Sequence, residues 1–231
     1  MATVEIIDLV KRYRSTQALR GIDLRFEPGR VSGVLGENGS GKSTLFRILA
    51  GVTRPTRGSV LIDGENVGVE TRRVSAYLPE IDSFYTWMAI EEQLKFIGSF
   101  HPGWNAAKAR ELTHFMGLDS SARIGELSKG QRARLKFIVA FSWPSRLVLM
   151  DEPLGGIDPP SRTRILRAMM QEFRAEEQTI LISTHLVNEI EEFVDDVVFL
   201  HDGEIALQGN ADALRNDRGA SLSQMFEEVL S

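Results

Sequence analysis

The 231-residue sequence contains no cysteine, which excludes disulfide staples, zinc–thiolate sites and iron–sulfur clusters. Tryptophan and tyrosine are sparse, at three each. No apolar run approaches the ~20 residues that cross a bilayer; the longest, such as FIVAF at 137–141, are a handful of residues. The opening residues carry Glu5 and Asp8 and no extended apolar stretch, so they do not read as a signal peptide. Charge of one sign is never concentrated, and 27 basic against 32 acidic residues leave a net charge of −5. That balance gives no electrostatic case for nonspecific nucleic-acid binding. Repeats and low-complexity tracts are also missing. The expectation is a chain that folds in water, in a reducing interior, and reaches a membrane only through a partner.

What is present is an ordinary hydrophobic fraction of 42%, enough for one large domain or one domain with an insertion. Apolar β-type segments recur at 3–7, 22–26, 31–35, 59–62, 74–78, 147–150, 179–183 and 196–200, several followed by helical patterns. Such alternation predicts an α/β fold with a mostly parallel sheet. The early strands lie close together around Pro28-Gly29 and Asp63-Gly64, which predicts a small N-terminal antiparallel β layer. Between 84 and 145 the strand signal stops. MAIEEQLKFIGSF, NAAKARELTHFMGL and KGQRARLKFIVAF space their apolar residues as helices, the last ending before Pro144. This predicts a helical subdomain at 84–145 inserted into a core formed by 1–83 and 146–231. The segment after 210 reads as one or two further helices.

The segment VSGVLGENGSGKSTLFRILAG reads as strand, loop and helix, with Gly36, Gly41, Lys42 and Ser43 at the fixed positions of G-x-x-x-x-G-K-[ST]. Glycines let the backbone curl around phosphates, a lysine supplies a point charge for the β- and γ-phosphates, and the serine hydroxyl can ligate Mg²⁺. Leu45, Ile48 and Leu49 form one helix face, with Gly51 expected as its C-cap.

LVLMDEP ends a short apolar strand in two acids, Asp151 and Glu152. Beside a phosphate loop, the first fits a Mg²⁺ holder and the second a base for the attacking water. TILISTH delivers His185 and RVSAYLPE delivers Glu80 beyond their strands. All four groups then fall at the C-terminal ends of strands, the edge where open parallel sheets bind ligands. LSKGQ at 127–131 adds a second anion-type device, a serine and glycine at a helix start.

With GENGSGKST, YLPE, LSKGQ, LMDEP, LGGID and STH in this order, the chain resembles the ATP-binding (nucleotide-binding) subunit of ABC transporters over essentially its whole length. The resemblance implies a RecA-like phosphate-loop NTPase core, ATP and Mg²⁺ as cofactors, and ATPase activity. It further implies that Tyr13 stacks on adenine and that Gly36, Glu37, Asn38, Gly39, Ser40, Gly41, Lys42, Ser43 and Thr44 wrap the phosphates. Ser43, Asp151 and Glu80 would serve the metal, with Glu152, His185 and Lys42 catalytic. Ser128, Lys129, Gly130 and Gln131 would close over ATP held by a second copy or a related ATPase subunit, paired head to tail. Asp158 would sit in the loop between the two sites. The remaining partner would be an integral membrane permease, holding the chain at the inner, cytoplasmic face of the cell membrane; no nucleic acid is expected.

Three departures stand out. Lys129 replaces a glycine, and either adds a cation near the partner's phosphates or points into solvent, the latter being the expectation. Glu80 replaces a glutamine and brings extra negative charge, tolerable only if paired with the metal. LGGID keeps the Gly and Asp of its loop. Phe84, Tyr85 and Trp87 either build the insert's own core or meet the permease. Two alternatives remain: a soluble ABC ATPase acting on nucleic acid or ribosomes, and a regulatory module that binds ATP without turning it over.

Overall fold

The computed structural model describes residues 1–81 and 83–230. In chain order the elements are β1 Val4–Tyr13, β2 Thr16–Phe26, β3 Val31–Leu35, α1 Lys42–Leu49, β4 Arg57–Ile62, β5 Glu65–Asn66, α2 Val69–Arg72, β6 Ser75–Leu78, α3 Ile90–Gly98, α4 Ala106–Phe115, α5 Lys129–Phe141, β7 Leu147–Asp151, α6 Pro159–Glu172, β8 Thr179–Thr184, α7 Val187–Ile190, β9 Asp196–His201, β10 Glu204–Asn210, α8 Ala211–Arg218 and α9 Leu222–Leu230.

Two sheets form. A four-stranded antiparallel sheet runs β2-β1-β4-β5, and a six-stranded sheet runs β10-β9-β3-β8-β7-β6. In the larger sheet every pairing is parallel except β9 with β10. The expected α/β class with an antiparallel layer is therefore what the chain adopts. Pro28-Gly29, however, carries the chain from one sheet into the other, Gly29 taking φ 75, rather than closing a hairpin within the layer.

β3, β7 and β8 are buried at every residue, as strands covered on both faces must be. Their period of two sorts side chains between two cores. Leu147 and Leu149 face one core with Leu45, Phe46 and Leu49, so α1 lies between the two sheets. Val148 and Met150 face the other, shared with Ile90, Leu112, Leu135 and Phe137 of the helices between β6 and β7. α1 ends at Leu49 with Ala50, not Gly51, as the C-cap; Gly51 follows it at φ 68.

β10 was not anticipated by the apolar pattern. It is an edge strand whose residues alternate exposed and half-buried. It is joined to β9 through Asp202-Gly203, where both φ are positive, 46 and 80, the geometry of a tight hairpin turn.

Candidate active site

The loop 36–41 leaves the buried β3 and hands the chain to α1. Its N-cap, Gly41, sits at φ 110 with no side-chain cap, so the N–H groups of the first helical turn have no intrahelical acceptor. A Cβ at Gly36 would stand 2.4 Å from the Leu200 carbonyl oxygen, and one at Gly41 would stand 2.5 Å from that of Ala18. The loop is thus pressed onto β9 and β2 on one side. Gly39, at φ 91, faces open space on the other. Lys42 is only 4% exposed; its Nζ donates to the carbonyls of Gly36 (2.8 Å) and Glu37 (3.0 Å).

The strand-end acids meet this lysine. Glu152 Oε1 lies 3.1 Å from Lys42 Nζ as an ion pair without hydrogen-bond alignment. A buried charge requires such a partner. Glu152 Oε2 is 3.0 Å from His185 Nδ1; because a carboxylate only accepts, the imidazole proton sits on Nδ1. The Glu152 backbone is held at φ 48, its N–H donating to the carbonyl and hydroxyl oxygens of Ser183.

Asp151 is equally fixed. Its Oδ1 accepts from Ser43 Oγ (3.0 Å) and Ser183 Oγ (2.7 Å), and its Oδ2 from Tyr77 OH (3.3 Å). Burial first, and then the Asp151 charge, push the Tyr77 phenol well above its ordinary value, so it remains a donor. Ser183 and Tyr77 were missed from sequence. Their only signal is pairing: Ser183 sits opposite Asp151 in the β7–β8 register, and Tyr77 opposite Leu149 in β6–β7.

Not every expected residue joins this cluster. Glu80 is exposed beyond β6, and its carbonyl rather than its carboxylate is engaged, by Lys136 Nζ at 3.0 Å. No group of three His, Cys, Asp or Glu suited to a metal gathers among the described residues. The hydroxyls of Ser43, Ser183 and Tyr77 surround Asp151, and Glu80 as a metal ligand remains an expectation of the resemblance. Tyr13 is 42% exposed at the end of β1, with Lys11 Nζ 4.7 Å above its ring. It lies on the same hairpin as Ala18, which touches Gly41. Glu37 and Asn38 are exposed, Ser40 is buried with its hydroxyl unpartnered, and Thr44 is half-buried in α1.

The 128–131 segment forms its own structure. Ser128 Oγ accepts from Gln131 N (3.2 Å) and Gln131 Oε1 accepts from Ser128 N (2.8 Å), a reciprocal cap on α5. Among the described residues it makes no hydrogen bond or ion pair with its own chain's phosphate loop. Gly130 lies against Asp158, whose Oδ1 would be 2.5 Å from a Cβ there. Asp158 caps α6 by accepting from Ser161 N and Oγ, bonds that hold its carboxyl below the usual range. Lys129 is exposed as expected, yet its ammonium is beside Gly156.

A triphosphate fits the cradle formed by the glycines, the uncapped helix start and Lys42. A divalent cation of the kind that keeps most of its water fits one carboxylate, Asp151, beside the Ser43 hydroxyl. Fold and site together define a phosphate-loop nucleotide-binding protein. The family described as ABC transporter matches residues 19–155. The chain is 33% identical over 221 residues to the ABC transporter ATP-binding protein YxlF of Bacillus subtilis (strain 168), covering 93% of this chain and 73% of that one. It superposes with a TM-score of 0.87 and 30% identity on a solved ATP-binding subunit of an ABC transporter, covering 99% of each. A dimeric ATP-binding cassette bound to ADP and phosphate shares the fold, with a TM-score of 0.81 at 21% identity, over 90% of this chain and 98% of that one. The chain belongs to the ABC transporter family and is an ATP-binding subunit of it.

Proposed function

We infer that this chain hydrolyses MgATP in a head-to-tail pair, with itself or a related subunit, and thereby drives a separate membrane permease. The observation that carries the reading is the buried Glu152 carboxylate held between Lys42 and His185 at the mouth of the phosphate loop. Phosphate oxygens entering the loop would compete for Lys42 Nζ, which now rests on two carbonyls. Glu152 Oε1, released from the lysine, would take a proton from the attacking water while His185 keeps the carboxylate oriented. Ser43 and Asp151 would hold Mg²⁺, which neutralises charge on the phosphates. Glu152→Gln should bind ATP and release phosphate on the order of a thousandfold more slowly; near-normal release would remove Glu152 from the role of base.

The pairing rests on the 128–131 cap standing apart from its own phosphate loop. A dimeric relative of the same fold supports it. Tyr13 would stack on adenine through the ring face that Lys11 leaves free. The helices of 84–145 would act as the signature subdomain of a single ATPase domain whose core is 1–83 and 146–231. Within it, Phe84 packs against the core, Tyr85, 46% exposed, lines a cleft of about 360 Å³, and Trp87, 67% exposed, lies against the Tyr85 ring. Asp82, in the same stretch, lies outside the described residues. The cleft and its two exposed aromatics would receive the permease. No helix among the described residues is long and apolar enough to cross a membrane, so membrane attachment on the cytoplasmic side would pass through that partner.

A further inference from the structure

The geometry points to Lys129 as a positioning residue that acts within its own chain, its side-chain stem seating the 152–158 turn that carries Glu152. The inference rests on the paired arrangement proposed above and assigns a task to the residue that departs from the family pattern. A Cβ built on Gly156 would stand 2.5 Å from Lys129 Nζ, 3.5 Å from its Cε and 3.7 Å from its Cδ. The lysine therefore fills the volume that a side chain at 156 would take, and Gly156, at φ 63, supplies none.

The neighbouring position repeats the fit in the opposite sense. Gly130 has no side chain, and Asp158 Oδ1 and Ser161 Oγ occupy that space, 2.5 and 2.7 Å from where its Cβ would be. Two successive residues of the first turn of α5 thus interlock with two positions of one loop. The same loop starts at Glu152, turns back on itself through the Gly155 N–H to Glu152 carbonyl bond (3.2 Å), and reaches Gly156 four residues later. Lys129 makes no hydrogen bond or ion pair of its own among the described residues, so its hold on the loop is the packing of Cδ, Cε and Nζ over Gly156. Because the first turn of α5 would face the partner's nucleotide, the lysine ties that contact to the carboxylate of its own site.

The test separates stem from charge and own chain from partner. Amide exchange of residues 154–158 should quicken several-fold in Lys129→Ala and stay near wild type in Lys129→Met, which keeps the stem. Unchanged exchange in Lys129→Ala overturns the proposal. Differently tagged chains, one carrying Glu152→Gln, form pairs with a single working site that uses Glu152 of one chain and the signature of the other. Lys129→Ala in the chain supplying Glu152 should lower turnover on the order of tenfold, as a small misplacement of a reacting group does, with Lys129→Met restoring it. A loss that appears only when the substitution is in the other chain, and equally for Met, overturns the proposal in favour of a charge acting on the partner's phosphates. If no ATP-dependent pairs form, the paired arrangement itself fails, while the exchange measurement still decides the seating of the loop.

Discussion

Two helices of this protein begin at glycine- and serine-rich loops, and they treat their free N–H groups in opposite ways. α1 opens at Gly41 without a side-chain cap, over a buried lysine whose partners are backbone carbonyls and one carboxylate. α5 opens at Ser128, which satisfies the helix from within through Gln131, and its first lysine is exposed. The first start leaves donors for a ligand of its own chain. The second spends its polar side chains on a stable end and presents that end outward. One is a pocket; the other is a surface suited to complete a pocket elsewhere.

That contrast can be broken first at α1. Lys42→Ala removes the cation from the cradle and leaves the buried Glu152 with only His185 beside it, a loss of up to about 3–5 kcal/mol. ATP affinity, read by fluorescent-nucleotide titration, should fall below detection, and thermal unfolding should show a lower midpoint because the pocket loses its cation. Next comes the support behind Asp151. Ser183→Ala deletes the 2.7 Å bond to Oδ1, and the Mg²⁺ concentration for half-maximal phosphate release should rise about 10–100-fold, as losses of orienting partners do.

At α5 the expected effects are smaller and of another kind. Ser128→Ala should cost about 1 kcal/mol of stability through the lost cap, measured by urea unfolding, while ATP binding to the isolated chain stays unchanged. Asp158 gives the smallest effect. Its pKa is lowered in the folded chain by its bonds to Ser161, so the stabilisation is present above the unfolded value of 3.8 and is lost as pH falls through the lower folded one. Asp158→Ala should flatten that acid limb of a stability profile by lowering its neutral plateau, with stability at the acid end the least altered.

The contrast also marks what could be read in the chain beforehand. The phosphate loop, the strand-end acids and the α5 start are local patterns: each is a contiguous run whose residues act together within one or two turns. The buried strands were legible because Leu147–Met150 and Thr179–Ser183 need apolar cover on both faces. Ser183 and Tyr77 were not, since they reach Asp151 only through register between strands far apart in sequence. β10 was overlooked because an edge strand alternates instead of running apolar, although Asp202-Gly203 announced its hairpin. Glu80 was given to the metal by the resemblance, and its exposed place beyond Pro79 is a loop geometry that strand patterns do not describe. Gly156 accommodating Lys129 is also beyond sequence patterns, because it is a contact between the loop after β7 and a helix start.

Whether the α5 surface completes another chain's pocket is measured most directly by the mass of Glu152→Gln in solution with and without MgATP, using light scattering behind a sizing column. With nucleotide the 25.8 kDa chain should elute at twice that mass, and Ser128→Arg should return it to single chains that still bind ATP at the phosphate loop. A single chain that stays at 25.8 kDa with ATP bound, and whose wild-type form turns ATP over at full rate at the same mass, would contradict it.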